Sequence, residues 1–299
     1  MGDMIERPEI FSDQILGFTL PERSARGRLV RLDDVVGQIL SAHDYPAPVT
    51  HLLAEALVLA SLMGSLLKGD SAQMTLQAQT EDGPVSLLVC DYRDGEIRGY
   101  AEYDDERFAE LGVNPSLATI FGKGYLAITF ETGGGKRYQG IVPLEGASLA
   151  EACQNYFQQS EQVPTIIRVG VSFDGRRCLA GGLLVQHLAD GEEGRERLHV
   201  RTDHPDWEHV AALTSTISHE ELIDSELSLD AITWRLFHEE PIIKVQTGPS
   251  LSRGCRCSAE YYEQVIARFP EGEKDAMRND DGEIIVDCAF CSKKFTLLK

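Results

Sequence analysis

The residues with the greatest chemical potential are four cysteines near the C-terminal end, Cys255-Arg256-Cys257 and Cys288-Ala289-Phe290-Cys291, two close pairs separated by thirty residues. Four thiolates in paired spacing are the donor set that tetrahedral zinc takes in a closed site. Once ionised, the same sulfurs are what oxidants attack. Each close pair could then form a local disulfide, and a sulfur committed to a disulfide is a far poorer metal ligand. A Cys-x-Cys disulfide closes a very small ring, so it is strained and easily re-reduced. On the residues alone three readings stay open: an inert zinc staple, a metal site that oxidation opens, and a thiol–disulfide exchange centre at Cys288-Ala289-Phe290-Cys291. Exchange centres usually sit at a helix start in a thioredoxin-like unit, a different setting from this one.

Local patterns show how these cysteines are delivered. Ser258 is placed to cap a helix whose apolar stripe is Tyr262, Val265, Ile266 and Phe269, with Pro270 stopping it. A turn at Asn279-Asp280-Asp281-Gly282 feeds a strand, Ile284-Ile285-Val286, that leads into Cys288. The turn is not a calcium loop, because Met277 and Cys288 occupy its first and last ligand positions. The helix start after Cys257, with Arg253 and Arg256 nearby, favours thiolate over thiol. One helix and one hairpin bury little, so metal ligation should supply much of this unit's stability, on the order of 10 kcal/mol.

The rest of the chain divides by composition. Residues 1–190 read as one α+β domain, with a helix near 33–42 and an apolar helix at 50–68. Met74, Leu76 and Ala78, then Val85, Leu87 and Val89 across the Asp82-Gly83 turn, alternate with polar neighbours as strands with one buried face do. Two further strands flank Gly133-Gly134-Gly135-Lys136. Ser148 begins a helix carrying Leu149, Ala152, Cys153, Tyr156 and Phe157 on one face, and a strand pair at 165–173 and 178–187 turns at Asp174-Gly175. Residues 191–247 read as a linker. It opens in a charged stretch, 189–206, and continues in two short amphipathic patterns: Trp207, Val210, Leu213, Thr214 and Ile217, then Leu229, Ile232, Leu236 and Phe237 after an N-cap at Ser228. Helices this short need a surface to dock on. They are either permanently packed or conditionally folded. Residues 248–299 form the four-cysteine unit.

Composition narrows the function classes. Of the 299 residues, 42% are hydrophobic, enough for one sizeable core and a smaller appended unit, and the formal charge of −20 disfavours nucleic acid or an anionic membrane as partner. The C-terminal unit has no basic stripe, which argues against a nucleic-acid-reading zinc ribbon and leaves an interaction module of the same shape as an alternative. Residues 50–68 are interrupted by His51 and Glu55 and read as a core helix, not a membrane span. The acidic start, Met1-Gly2-Asp3-Met4-Ile5-Glu6, has no basic segment before an apolar one, so a cytoplasmic protein is expected. No G-x-S-x-G, H-E-x-x-H or Walker A motif occurs, and no catalytic site is expected. Cys90, Cys153 and Cys178 stand alone in apolar segments as buried small residues.

Many segments in order resemble the heat-shock-protein-33 family, the redox-regulated 33 kDa chaperonins of bacteria. They include His43-Asp44-Tyr45-Pro46-Ala47-Pro48-Val49, Tyr138-Gln139-Gly140, Leu144-Glu145-Gly146, Tyr156-Phe157, Ser160-Glu161-Gln162 and Ala180-Gly181-Gly182. Glu220-Glu221-Leu222, Trp234-Arg235-Leu236-Phe237-His238-Glu239-Glu240 and the four cysteines complete the pattern. The resemblance implies a holdase that needs no ATP, is inactive when reduced and zinc-bound, and is activated by peroxide or hypochlorous acid. It implies Cys255, Cys257, Cys288 and Cys291 as ligands of one zinc ion and, on activation, disulfides Cys255–Cys257 and Cys288–Cys291. It also implies that the linker unfolds, that Trp207, Val210, Leu213, Ile217, Leu229, Ile232, Leu236 and Phe237 become available to unfolded client proteins, and that the active form dimerises.

Overall fold

The computed structural model describes residues 12–67, 69, 71–112, 115–188 and 203–297. The acidic start of the chain and most of the charged stretch expected at 189–206 lie outside the described residues.

From its N-terminal side the chain forms β1 (Gln14–Leu20) and β2 (Ala25–Leu32), joined through a 3-10 turn at Pro21–Arg23. Helices α1 (Asp34–Leu40) and α2 (Ala47–Gly64) follow. A meander of β3 (Gln73–Gln79), β4 (Val85–Arg93) and β5 (Glu96–Tyr103) comes next, then two single-turn helices, α3 (Asp105–Ala109) and α4 (Leu117–Phe121). The glycine-rich turn joins β6 (Tyr125–Glu131) to β7 (Arg137–Pro143). Ser148 accepts a hydrogen bond from the Glu151 N–H and so starts α5 (Leu149–Tyr156), which leads to β8 (Thr165–Phe173) and β9 (Cys178–His187).

The order β10-β1-β2-β9-β8 makes one five-stranded sheet and β11-β5-β4-β3-β6-β7 a second of six. Helix α2 lies between them, packed on β2, β8 and β9 on one side and on β3, β4 and β5 on the other. A helix covered on both sides must be apolar nearly all round, and that is the run read from the sequence. Among the described residues α2 is the helix long and apolar enough to cross a membrane, yet 83% of it is buried within the fold.

The linker contributes α6 (Pro205–Thr214), α7 (His219–Ile223) and α8 (Leu229–Phe237), the last capped by Ser228 as its sequence predicts. The chain then returns as β10 (Lys244–Ser250) along the edge of the first sheet and as the short β11 (Ser252–Arg253), which pairs in parallel with β5. The four-cysteine unit consists of α9 (Ala259–Ile266), α10 (Glu271–Met277) and a hairpin of β12 (Ile284–Asp287) and β13 (Lys294–Leu297).

Some expectations need adjusting. The apolar helix runs 47–64 instead of 50–68. The linker holds three helices, not two, because Ser218 and Glu221 form a reciprocal capping box that starts α7. Pro270 does more than end one helix: it stands at the N-cap of α10, whose first turn carries Glu271 and Glu273 where acids suit the helix dipole. The architecture is α+β throughout, with a mixed helix and sheet core, a helical linker and a small C-terminal four-cysteine unit.

Candidate metal centre

Cys255 and Cys257 sit in the loop between β11 and α9, and Cys288 and Cys291 in the tight turn that joins β12 to β13. The turn is closed by the N–H groups of Cys291 and Ser292 donating to the Cys288 carbonyl, with Ser292 at a φ of 55°. The sulfurs of Cys255 and Cys257 are 3.2 Å apart, Cys255 and Cys288 3.6 Å, and Cys257 and Cys291 3.5 Å. All four ligand atoms fall within 4.8 Å of one another. Four sulfurs at tetrahedral corners around zinc, with bonds of about 2.3 Å, lie about 3.8 Å apart, so this donor set could hold one such ion.

Cys288 is buried and the other three are half-buried. Burial pushes the Cys288 thiol up, but the Tyr262 hydroxyl and the N–H groups of Phe290 and Cys291 outweigh it and bring its pKa to about 6. Burial, with the shared sulfur cluster, holds Cys257 up, and burial raises Cys255. The lone cysteines differ in kind. Burial drives Cys90 and Cys153 far up and takes Cys178 to about 12, so all three remain neutral thiols.

The sequence places Arg253 and Arg256 as thiolate-stabilising cations. Arg256 instead turns away from the sulfurs: its Nη1 donates to Gln73 Oε1 at 2.8 Å and its Nη2 lies 3.9 Å from Asp91. Hydrogen-bond donors within the sulfur cluster lower the Cys288 pKa, not that guanidinium.

The linker residues named from the sequence come together on the outer face of the first sheet. Trp207, Val210, Ile217, Leu229, Ile232, Leu236 and Phe237 are buried there with Leu213 partly buried beside them, against Leu16, Phe18, Leu29 and Leu183. The Phe18 and Phe237 rings stand 5.3 Å apart, and the Trp207 indole stacks on His187 at 5.9 Å. Helix α7 lies directly on strand backbone. A Cβ at Gly181 would collide with the Leu222 carbonyl, and one at Gly170 with that of His219, so the glycines of β8 and β9 are a floor cut to admit a helix.

Arg31 is a linker contact that sequence reasoning missed. It is 1% exposed, and its guanidinium donates to the carbonyls of Leu222 at 3.0 Å, Leu227 at 2.6 Å and Glu221 at 3.3 Å. It therefore satisfies free carbonyls at the C-terminal end of α7 and one in the loop that leads to α8. Nothing in the sequence separates Arg31 from Arg26 and Arg28 on the same strand except that its register turns it toward the linker.

The family model described as Hsp33 protein matches residues 13–297. The chain belongs to the Hsp33 family. A protein named 33 kDa chaperonin from Caulobacter vibrioides is 37% identical over 306 residues, covering 99% of this chain and 98% of the relative. One of the same name from Escherichia coli is 37% identical over 286 residues, covering 95% and 91%. The crystal structure of a 33 kDa chaperonin, a heat shock protein 33 homolog from Thermotoga maritima, superposes with a TM-score of 0.79 at 23% identity and covers 95% of this chain and 94% of that one, a likeness of fold.

Proposed function

We propose that this chain is a redox-controlled, ATP-independent holdase, inactive when reduced and metal-bound and active toward unfolding proteins when oxidised. The observation that carries the reading is the convergence of four sulfurs from two distant chain segments at the end of a linker whose apolar face is buried. Its membership in a family whose relatives are named chaperonins supports the same reading.

Cys255, Cys257, Cys288 and Cys291 are the ligands, and zinc, when bound, supplies the closed four-sulfur link between the two cysteine motifs. Oxidation acts on the ligands. Two thiolates give two electrons to hydrogen peroxide; an S–S bond forms, the O–O bond breaks, and with two protons from solvent the peroxide leaves as two waters. Done at Cys255–Cys257 and again at Cys288–Cys291, this converts all four donors to poor ligands that would no longer hold zinc. The C-terminal unit, with only Ile284, Cys288, Phe295 and Leu297 buried in its own cluster, then lacks the core to stay folded.

In this scheme residues 1–190 are the core, 191–247 the linker and 248–299 the redox unit, with β10 tying the linker's end to the core sheet. Loosening of the linker releases Trp207, Val210, Leu213, Ile217, Leu229, Ile232, Leu236 and Phe237 for client proteins. The oxidised chain is a homodimer and works in the cytoplasm without catalytic turnover. The charge of −20 keeps nucleic acids and anionic membranes off its surface.

The test is light scattering from an aggregating, chemically unfolded client, with zinc release followed in parallel. The oxidised, zinc-free chain should suppress scattering and the reduced, zinc-loaded chain should not. Equal behaviour of the two forms would reduce the cysteines to a structural staple.

A further inference from the structure

The first helix of the linker rests on a buried histidine. His187 ends β9 and is 3% exposed. Its ring lies against two linker side chains: the His204 imidazole, with ring centres 5.2 Å apart, and the Trp207 indole, stacked at 5.9 Å and 25°. Among the described residues, its buried Nδ1 has no hydrogen-bond partner. His204 is the N-cap of α6, its Nδ1 accepting from the Asp206 N–H at 3.3 Å. The carboxylates nearby are already engaged. Asp206 accepts from Arg23 Nη1 at 2.7 Å, and Glu240 accepts from Arg23 Nε at 2.9 Å and lies 2.7 Å from His209 Nε2. Arg26, on the neighbouring strand, donates to Gln186.

We infer that His187 is a proton-sensitive latch on the linker, through which acid loosens α6 from the first sheet while the four-cysteine unit stays reduced and metal-bound. This rests on the linker reading above and adds a trigger that needs no oxidant. A proton on Nδ1 places a charge and a buried N–H where nothing accepts it. The indole face attracts an imidazolium, a gain smaller than the cost of burying an unpaired charge. A proton on His204 acts against docking twice. Protonated Nδ1 cannot accept from the Asp206 N–H, so the cap is lost, and a second charge then stands beside the His187 ring. Asp206, 3.6 Å from that nitrogen, tempers the charge without restoring the cap. Protonation of His209 tightens its bond to Glu240, which joins two parts of the linker to each other.

The titration runs in the same direction. Burial lowers the His187 pKa from 6.5 and His204 lowers it further, while the Ser24 and Arg23 backbone and Asp206 pull upward without prevailing. The docked state therefore excludes a proton that the undocked state accepts. Docking is full above the free-histidine value near 6.5 and weakens as pH falls below it, until the docked ring itself titrates.

The experiment is hydrogen–deuterium exchange on the full-length, reduced, zinc-loaded chain, read at the α6 amides from Val210 to Thr214 between pH 8 and 5.5. Each rate is divided by its intrinsic value at that pH, and the comparison covers the range in which one zinc per chain is retained. Protection should fall toward low pH, by up to about tenfold at pH 5.5, the limit for one proton with a free value near 6.5, while β3 keeps its protection. His187→Phe, which keeps a ring under the indole and cannot charge, should stay protected throughout. His204→Asn, which keeps a cap acceptor and removes a neighbouring charge, should show a smaller fall than the unaltered chain. If His187→Phe does not fold, His204→Asn decides. Protection that is flat with pH in the unaltered chain, or that falls equally in the deciding variant, overturns the inference. Client scattering is followed alongside: a reduced chain whose α6 has loosened yet holds no client would sink the reading of the linker face as a client surface and leave the latch standing.

Discussion

The core domain and the four-cysteine unit are stabilised in different ways. Around α2 the core buries aliphatic side chains from both sheets, with Leu53, Leu57, Val58 and Leu62 all at 0% exposure. Among the described residues the C-terminal unit's own apolar cluster has four buried members, one of them a cysteine, and no residue of α9 or α10 is buried. Close packing makes the first independent of any ligand, whereas small size would make the second depend on the metal proposed for its four sulfurs. A chain built this way can lose order at one end while the other end remains folded, which is what a switch requires.

The most severe way to break this contrast is Cys288→Ser. It should abolish stoichiometric zinc and unfold residues 255–297, a loss on the order of 10 kcal/mol in metal-linked stability, while the core melts at its usual temperature. Metal content and two-transition calorimetry would read it; tight zinc binding in the variant would show that three sulfurs suffice. The converse is Leu57→Ala, which should cost the core about 2–5 kcal/mol and leave one zinc per chain.

A subtler test uses Glu55, buried in α2, where the Ala150 N–H donates to its Oε1 at 2.9 Å. Burial pushes its pKa up to about 7, against the N–H groups of Ala150 and Leu149. The folded chain therefore binds the proton more tightly than the unfolded one. Stability from this group is full below the unfolded carboxyl value near 4.5 and falls as pH rises toward 7, by at most about 3 kcal/mol. Glu55→Gln should flatten that slope in urea titrations across pH 5–8. An unchanged slope would assign the pH dependence elsewhere.

The smallest expected effect probes the linker that joins the two regions. Arg31→Met removes two bonds to carbonyls of α7 and one to the Leu227 carbonyl before α8, and should weaken linker docking by about 2 kcal/mol. Faster amide exchange across 219–223, with zinc binding intact, is the expected result. Uniform protection would mean that the glycine floor alone holds α7.

Regular patterns made much of this legible in advance. Strict alternation gave β3, but in β4 a bulge between Val85 and Leu87 turns Leu88 and Cys90 inward where the alternation pointed to Leu87 and Val89; turn glycines gave the β6–β7 and β8–β9 pairs, and caps at Ser148, Ser228 and Ser258 marked three helix starts. The cysteine spacing pointed to one cluster because few chemistries want two close thiol pairs. What stayed hidden was pairing at a distance. The pattern of β2 is obscured by Arg26, Arg28 and Arg31, the last of which is buried by a partner nearly two hundred residues away. β10 is an exposed edge strand with almost no apolar signal, and β11 is two residues long. Arg256 looked like a partner for thiolates because sequence distance is not direction.

The position of β10 also bears on recovery. The chain leaves the first sheet at the end of β9 and rejoins it at β10, so the linker helices α6 to α8 belong to a connection whose two ends are fixed in one sheet. Helices freed from that loop cannot drift away; they stay at high effective concentration over the surface they left, and the entropy of finding it again rises only slowly with loop length. When reductant returns, a released linker should thus reseat as an intramolecular event, at a rate insensitive to protein concentration.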